Sequence, residues 1–321
     1  MGLQALVDVR YVPRRERTLS AMEPALRLTD SGLETDLIFN RGIDLPEFAA
    51  FPLLDDAVGR ATLHDYYRAH AEVAREHGWG FVLEAPTWRA SQDWGDKLGY
   101  DAADLDRVNR DAVALMAAMR SAGDVVSGCI GPRGDAYRSG SVDGADEAAS
   151  YHLPQVRSLA GAGADQVHAM TLTQVVEAQG IAAAARDVGV PVVLSFTVET
   201  DGRLPDGTAL AEAIELTDRA TDGYPLSFGV NCAHPTHFAE VLDPAQAAIG
   251  RIGTVRANAS RMSHAELDEA EELDDGDPTE LGAQYVDLRG RLPGLAAVGG
   301  CCGTDLRHVQ AIAAAISRST A

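Results

Sequence analysis

Residues Gln166–Thr197 read QVHAMTLTQVVEAQGIAAAARDVGVPVVLSFT, and their pattern decides the fold class. Gln166–Met170 is a short run that suits a strand, Val175–Asp187 carries apolar residues at helical spacing, and Pro191–Thr197 is rich in β-branched and apolar residues. A helix of that length between two such strands carries the chain back to its starting edge, so the strands lie parallel.

The same alternation continues in both directions. Further strands are expected near Ala25–Thr29, Gly80–Leu83, Val125–Ile130, Pro225–Asn231, Gly253–Ala257 and Leu295–Gly299. Helices are expected over Thr62–Glu76, Leu105–Arg120, Asp146–Ala160, Leu210–Ala220 and Asp305–Ser317. Eight strands in 321 residues point to the α/β class and to a single (β/α)8 TIM barrel. A doubly wound sheet would need a glycine-rich phosphate loop directly after a strand, and Gly161-Ala-Gly163 precedes one instead. Residues 1–23 are then an N-terminal extension and residues 24–321 the barrel. The acidic stretch Glu266–Glu280 reads as a solvated helix and loop decorating the barrel.

A composition of 46% hydrophobic and 23% charged residues is that of a globular chain. The formal charge of −21 argues against a nucleic-acid partner, whose binding draws on Lys and Arg. No apolar run approaches the roughly 18 residues of a membrane helix. The basic cluster Arg10–Arg17 has no apolar region after it, as an export signal would. With thiols that look free, the expected location is the cytoplasm. Oligomeric state stays open, and a homo-oligomer fits as well as a monomer.

The chain has four cysteines: Cys129, Cys232, Cys301 and Cys302. The adjacent pair lies in Val298-Gly-Gly-Cys-Cys-Gly-Thr304. Adjacent Cα atoms are about 3.8 Å apart, too close for an unstrained disulfide. In a barrel, however, chemistry gathers at the carboxyl ends of the strands. Asp30, Glu84, Thr87, Thr197, Glu199, Asn258 and the thiols of Cys232, Cys301 and Cys302 all fall there. Three thiolates are soft ligands suited to Zn2+, and they leave a fourth tetrahedral position open for chemistry. The glycines at 299, 300 and 303 would let the backbone turn so that both adjacent thiols face one ion. His234 and His237 are rival ligands that follow Cys232 closely, and Cys129 is a weaker candidate.

Gly229-Val-Asn-Cys232 and Gly299-Gly-Cys-Cys-Gly303 together resemble the two zinc motifs of the homocysteine S-methyltransferase family. Weaker matches at Asp30-Ser-Gly-Leu-Glu-Thr35, Ile130-Gly-Pro132, Glu177-Ala178 and Asn258 extend the resemblance over about residues 25–318. The resemblance implies a zinc-dependent methyltransferase in which Cys232, Cys301 and Cys302 hold Zn2+ and an acceptor thiolate takes the fourth position. A methyl group would pass to it from a sulfonium or ammonium donor, with homocysteine becoming methionine. Asp30 and the backbone near Gly32 would handle the amino-acid part of the acceptor, and Asn258 would match an Asn able to approach the metal.

Two positions depart from the family. Ser31 stands where a glycine is usual, and Met170 stands where a glutamate holds the acceptor ammonium. A thioether cannot pair an ammonium, so the acceptor is either homocysteine held in another way, with Glu84 or Glu199 as substitutes, or a different small thiol. Trp88 and Tyr137 are candidates to stack on the methyl of a cationic donor. A zinc hydrolase, which would want His or carboxylate ligands, and an inactive barrel are the remaining alternatives.

Overall fold

The computed structural model describes residues 26–134, 136–140, 142–270 and 272–320. The expected N-terminal extension lies outside the described residues.

Eight parallel strands follow one another around a closed barrel. They are β1 Arg27–Leu28, β2 Gly80–Glu84, β3 Val125–Ile130, β4 Gln166–Leu172, β5 Val192–Phe196, β6 Ser227–Asn231, β7 Ile252–Ala257 and β8 Ala297–Gly300. Closure comes from β1 pairing with β8, with Arg27 opposite Ala297 and Leu28 opposite Val298. The single (β/α)8 barrel expected from the alternation is the fold observed.

The strands sit between a side-chain-filled interior and a ring of helices. Val192–Phe196 is therefore buried at every residue, apolar except for Ser195, as in a strand covered on both faces. The main apolar core lies between sheet and helices, where Leu83, Val126 and Leu194 of the strands meet Leu63, Val113 and Ile181. Inside the barrel the packing is partly polar. Buried His168 of β4 donates from Nδ1 to Oε1 of Glu84 on β2, at 2.7 Å. Ser195 of β5 lies 2.7 Å from the other ring nitrogen.

Several elements differ from the sequence expectation, among them a short helix over Gln92–Leu98. The helix expected from Thr62 begins at Ala57, where the Asp56 side chain accepts from the N–H groups of Val58 and Gly59. Its first turn carries an exposed Val58 and a glycine, so the apolar period becomes visible only at Leu63. A helix over Pro278–Arg291 was not expected. Its start, an Asp277 cap followed by Pro278, is a legible signal hidden in the acidic run. Finally, β4 runs to Leu172 with a register shift against β5 between Ala169 and Leu172. Among the described residues no helix is long and apolar enough to cross a membrane.

Candidate metal centre

The loops after β6 and β8 bring three thiols together. Sγ of Cys232 lies 2.8 Å from that of Cys301 and 3.5 Å from that of Cys302. All three fall within 4.8 Å of one another. None forms a disulfide. A tetrahedral zinc with bonds of about 2.3 Å has edges of about 3.8 Å; the cluster offers the soft donors such an ion requires, with Cys232 and Cys302 near that spacing and Cys232 and Cys301 closer than it. Hydrogen bonds from Cys232 and Cys302 pull the Cys301 thiol well below its usual range, aided by Arg256, while Cys232 and Cys302 are pushed up.

Backbone geometry presents the first of these thiols. Cys232 has φ of 55°, and Thr171 at the end of β4 has φ of 61°. Non-glycine residues in this left-handed region persist where surrounding contacts hold them. Asn231 ties the two together: its Oδ1 accepts from Thr171 N at 2.7 Å and its Nδ2 donates to Thr171 Oγ1 at 2.8 Å. The carbonyl of Cys232 accepts from Asn258 Nδ2 at 3.1 Å and from His264 Nε2 at 2.9 Å. Glu199 Oε1 lies 3.1 Å from the other nitrogen of His264.

The second ligand motif is held differently. Gly303 has φ of 78°, the left-handed turn that follows the two cysteines. Gly299 and Gly300 are in β8 itself, where a Cβ would strike the side chains of Thr29 and Thr304. They are small to admit those neighbours rather than to turn the chain.

The thiols lie in a cavity of about 400 Å³ that also reaches Asp30, Gly32, Glu34, Glu84, Trp88, Tyr137, Met170 and Arg256. Tyr137 Oη is 3.6 Å from Cys232 Sγ and 3.8 Å from Cys302 Sγ, and its ring stacks on His264 with centroids 4.1 Å apart. Burial and the neighbouring thiols keep the Tyr137 phenol well above its usual range, so it stays protonated and can donate. Asp30 is paired with Arg256 at 2.8 Å. That guanidinium also donates to the carbonyls of Gly300 and Ser31, tying β1, β7 and β8 together at the cavity floor.

Several expectations need correction. Thr87, expected beside the substrate, donates to the Cys129 carbonyl at 2.7 Å and does not line the cavity. Asn258 does not line it either; its amide nitrogen braces the Cys232 carbonyl, and its buried Oδ1 accepts no hydrogen bond among the described residues. The rival ligands are turned away: His234 caps the short helix Pro235–Phe238, and His237 donates to the Arg261 carbonyl at 2.9 Å. Cys129 lines the cavity but stands apart from the thiol cluster. The acidic stretch does more than decorate the barrel, because Leu267, Asp268, Glu272 and Asp274 form the outer wall of the cavity.

Arg256, Glu34 and His264 were missed by sequence reasoning. A lone charge inside the strand run Gly253–Ala257 was the signal for Arg256. Nothing in one sequence ties His264 to Cys232.

A family model described as homocysteine S-methyltransferase matches residues 27–316. The chain belongs to the homocysteine S-methyltransferase family. Among its relatives in this family, homocysteine S-methyltransferase YbgG of Bacillus subtilis is 24% identical over 203 residues, 59% of this chain and 61% of that protein. Homocysteine S-methyltransferase 3 of Arabidopsis thaliana is 25% identical over 169 residues, covering 52% of this chain and 48% of the relative. The match thus spans from about half to 61% of the length of these curated relatives. The metallated form of the homocysteine methyltransferase MmuM from Escherichia coli superposes with a TM-score of 0.69 at 21% identity, covering 90% of this chain and 96% of that one. At that identity the likeness is one of fold.

Proposed function

We propose that this protein is a zinc-dependent S-methyltransferase that moves a methyl group from a sulfonium or ammonium donor to homocysteine, giving methionine. The observation that carries this reading is the convergence of Cys232, Cys301 and Cys302 at the inner end of an accessible cavity. Membership of the family supports homocysteine as the acceptor.

Cys232, Cys301 and Cys302 would hold the ion, leaving one position for the acceptor sulfur. Zinc supplies the charge that keeps such a sulfur as thiolate at neutral pH. The chain's own residues do the rest. The Asn231, Asn258 and His264 contacts hold Cys232 in its left-handed conformation, and Tyr137 donates toward the ligand sulfurs, stabilising their negative charge. The rings of Trp88 and Tyr137 line the cavity and offer π-faces to a cationic donor. Transfer is an in-line displacement. The acceptor thiolate forms the new carbon–sulfur bond as the donor's bond to the methyl breaks, and the donor leaves as a neutral thioether or amine. No proton moves at the reacting atoms, so the barrier falls chiefly through alignment, an effect of up to roughly 7–11 kcal/mol. The four unpaired cysteines support a reducing, cytoplasmic setting.

The test joins zinc quantitation under reducing conditions to a mass-spectrometric screen of thiols against sulfonium and quaternary ammonium donors. One equivalent of zinc and a methylated homocysteine product are expected. A protein that binds no zinc, or that methylates no thiol, would end this reading.

A further inference from the structure

The cavity floor has several carboxylates, and all but one are matched. Asp30 is paired with Arg256 at 2.8 Å. Glu84 takes the Nδ1 hydrogen of His168 at 2.7 Å. Glu199, farther out, lies 3.1 Å from His264. Met170, also lining the cavity, brings no charge. Glu34 is different: it lines the same cavity and has no ion-pair partner among the described residues. Arg89 weakly favours its charge, but that guanidinium is stacked on Trp94, 3.8 Å from the ring centroid, and bonded to the carbonyl of Glu47. Burial pushes the Glu34 carboxyl up to about 7, with the negative charge of Asp30 and Cys301 adding to the shift.

The position of Glu34 is built, not incidental. It lies in the turn Leu33–Thr35, whose other residues are buried. That turn is clamped to the two-cysteine loop: Gly32 N donates to Thr304 Oγ1 at 3.1 Å, and Gly303 N donates to Thr35 Oγ1 at 3.2 Å. Glu34 therefore moves with Cys301 and Cys302 as one unit, at the inner end of the cavity. Asp268 and Glu272, which also line the cavity, are exposed to solvent, whereas Glu34 is partly buried. A partly desolvated carboxylate without a cation is unfavourable, and a ligand cation placed beside it recovers the lost interaction.

We infer that Glu34 is the specificity-determining carboxylate of this protein, receiving the α-ammonium of the acceptor while its sulfur sits among the three cysteines. This rests on the methyltransferase reading and adds to it the way in which a site with Met170 still selects an amino-acid thiol.

The experiment compares homocysteine with 4-mercaptobutanoate, which lacks only the amino group, by calorimetric titration of the zinc-loaded protein. The wild type should favour homocysteine by roughly 10- to 150-fold, the range of a charge-assisted hydrogen bond. Glu34→Gln, with zinc content unchanged, should bring the two within about threefold, chiefly by weakening homocysteine. In steady-state assays the same variant should raise the KM for homocysteine and leave the donor KM in place. An unchanged preference in Glu34→Gln, an equal loss for both thiols, or a rise in donor KM alone would overturn the inference. A wild type that binds neither thiol would instead overturn the methyltransferase reading beneath it. Adding Met170→Glu to Glu34→Gln should restore part of the preference, and failure to do so in a zinc-loaded double variant would also count against the ammonium assignment.

Discussion

The two sides of the cavity are built on different physical plans. On the side of β6 and β8, three like residues converge, with the Cys232 sulfur 2.8 Å from that of Cys301 and 3.5 Å from that of Cys302. On the side of β1, β2, β4 and β7, unlike residues are matched inside the protein: Asp30 is ion-paired with Arg256, and Glu84 is hydrogen-bonded to His168. The first side is open to a ligand, while the second is a floor whose polar side chains already hold one another. Glu34 is the exception on the second side, and it is attached to the first through the Gly303–Thr35 and Gly32–Thr304 contacts.

That contrast can be broken by substitution. The largest effect is expected from Cys302→Ala, which removes one of three ligands. Bound zinc should fall from one equivalent to a small fraction and methyl transfer to background, measured by elemental analysis and product mass spectrometry. Retention of a full equivalent would show that the thiols do not hold the ion.

On the floor, the loss should appear as instability rather than as lost metal. Arg256→Met leaves Asp30 buried without its partner, at an expected cost of about 3–5 kcal/mol in urea denaturation. If this variant loses zinc in proportion to its loss of activity yet unfolds normally, the division between floor and metal side is wrong.

Glu84→Gln sharpens the same point through pH. Burial opposes the Glu84 charge, but the proximity and hydrogen bond of His168 prevail and hold its carboxyl below the usual range. A carboxylate with a depressed folded pKa contributes stability above its unfolded value, about 4.3, and loses it as pH falls through the folded value. Glu84→Gln should therefore cost about 1.5–3 kcal/mol near pH 7 and progressively less below about pH 4. Denaturation curves at several pH values read this directly, and a cost that grows on acidification would contradict it.

The smallest effect concerns Tyr137, which touches the metal side without being a ligand. Tyr137→Phe should weaken zinc binding by about tenfold, as loss of a hydrogen bond to ligand sulfur does, with little change in unfolding. Chelator competition measures it. An unchanged affinity would make the hydroxyl a spectator.

Much of the barrel was legible from alternation alone, since strands covered on both faces become apolar runs and their helices keep a 3.6-residue period. The convergence of three thiols was legible too, because Cys232 and the Cys301–Cys302 pair each follow the carboxyl end of a barrel strand. The helix at Pro278–Arg291 escaped because its polar first turn merges with the acidic run before it. Thr87 and Asn258 were placed at the site because position at a strand end says nothing about the direction of a side chain. Both point into the framework, toward the carbonyls of Cys129 and Cys232.

By itself, the sequence determined the class of fold, the cysteine motifs at the ends of β6 and β8 and the absence of a carboxylate at Met170, because each depends on residue type or local period. Only the tertiary structure decided which side chains are matched. Asp30 and Arg256 are far apart in the chain yet meet at 2.8 Å, and Glu84 finds His168 across the barrel. Charge pairing depends on distance and burial, neither of which a linear sequence contains. For the same reason, the carboxylate left over at Glu34 becomes recognisable only when the partners of all the others are known.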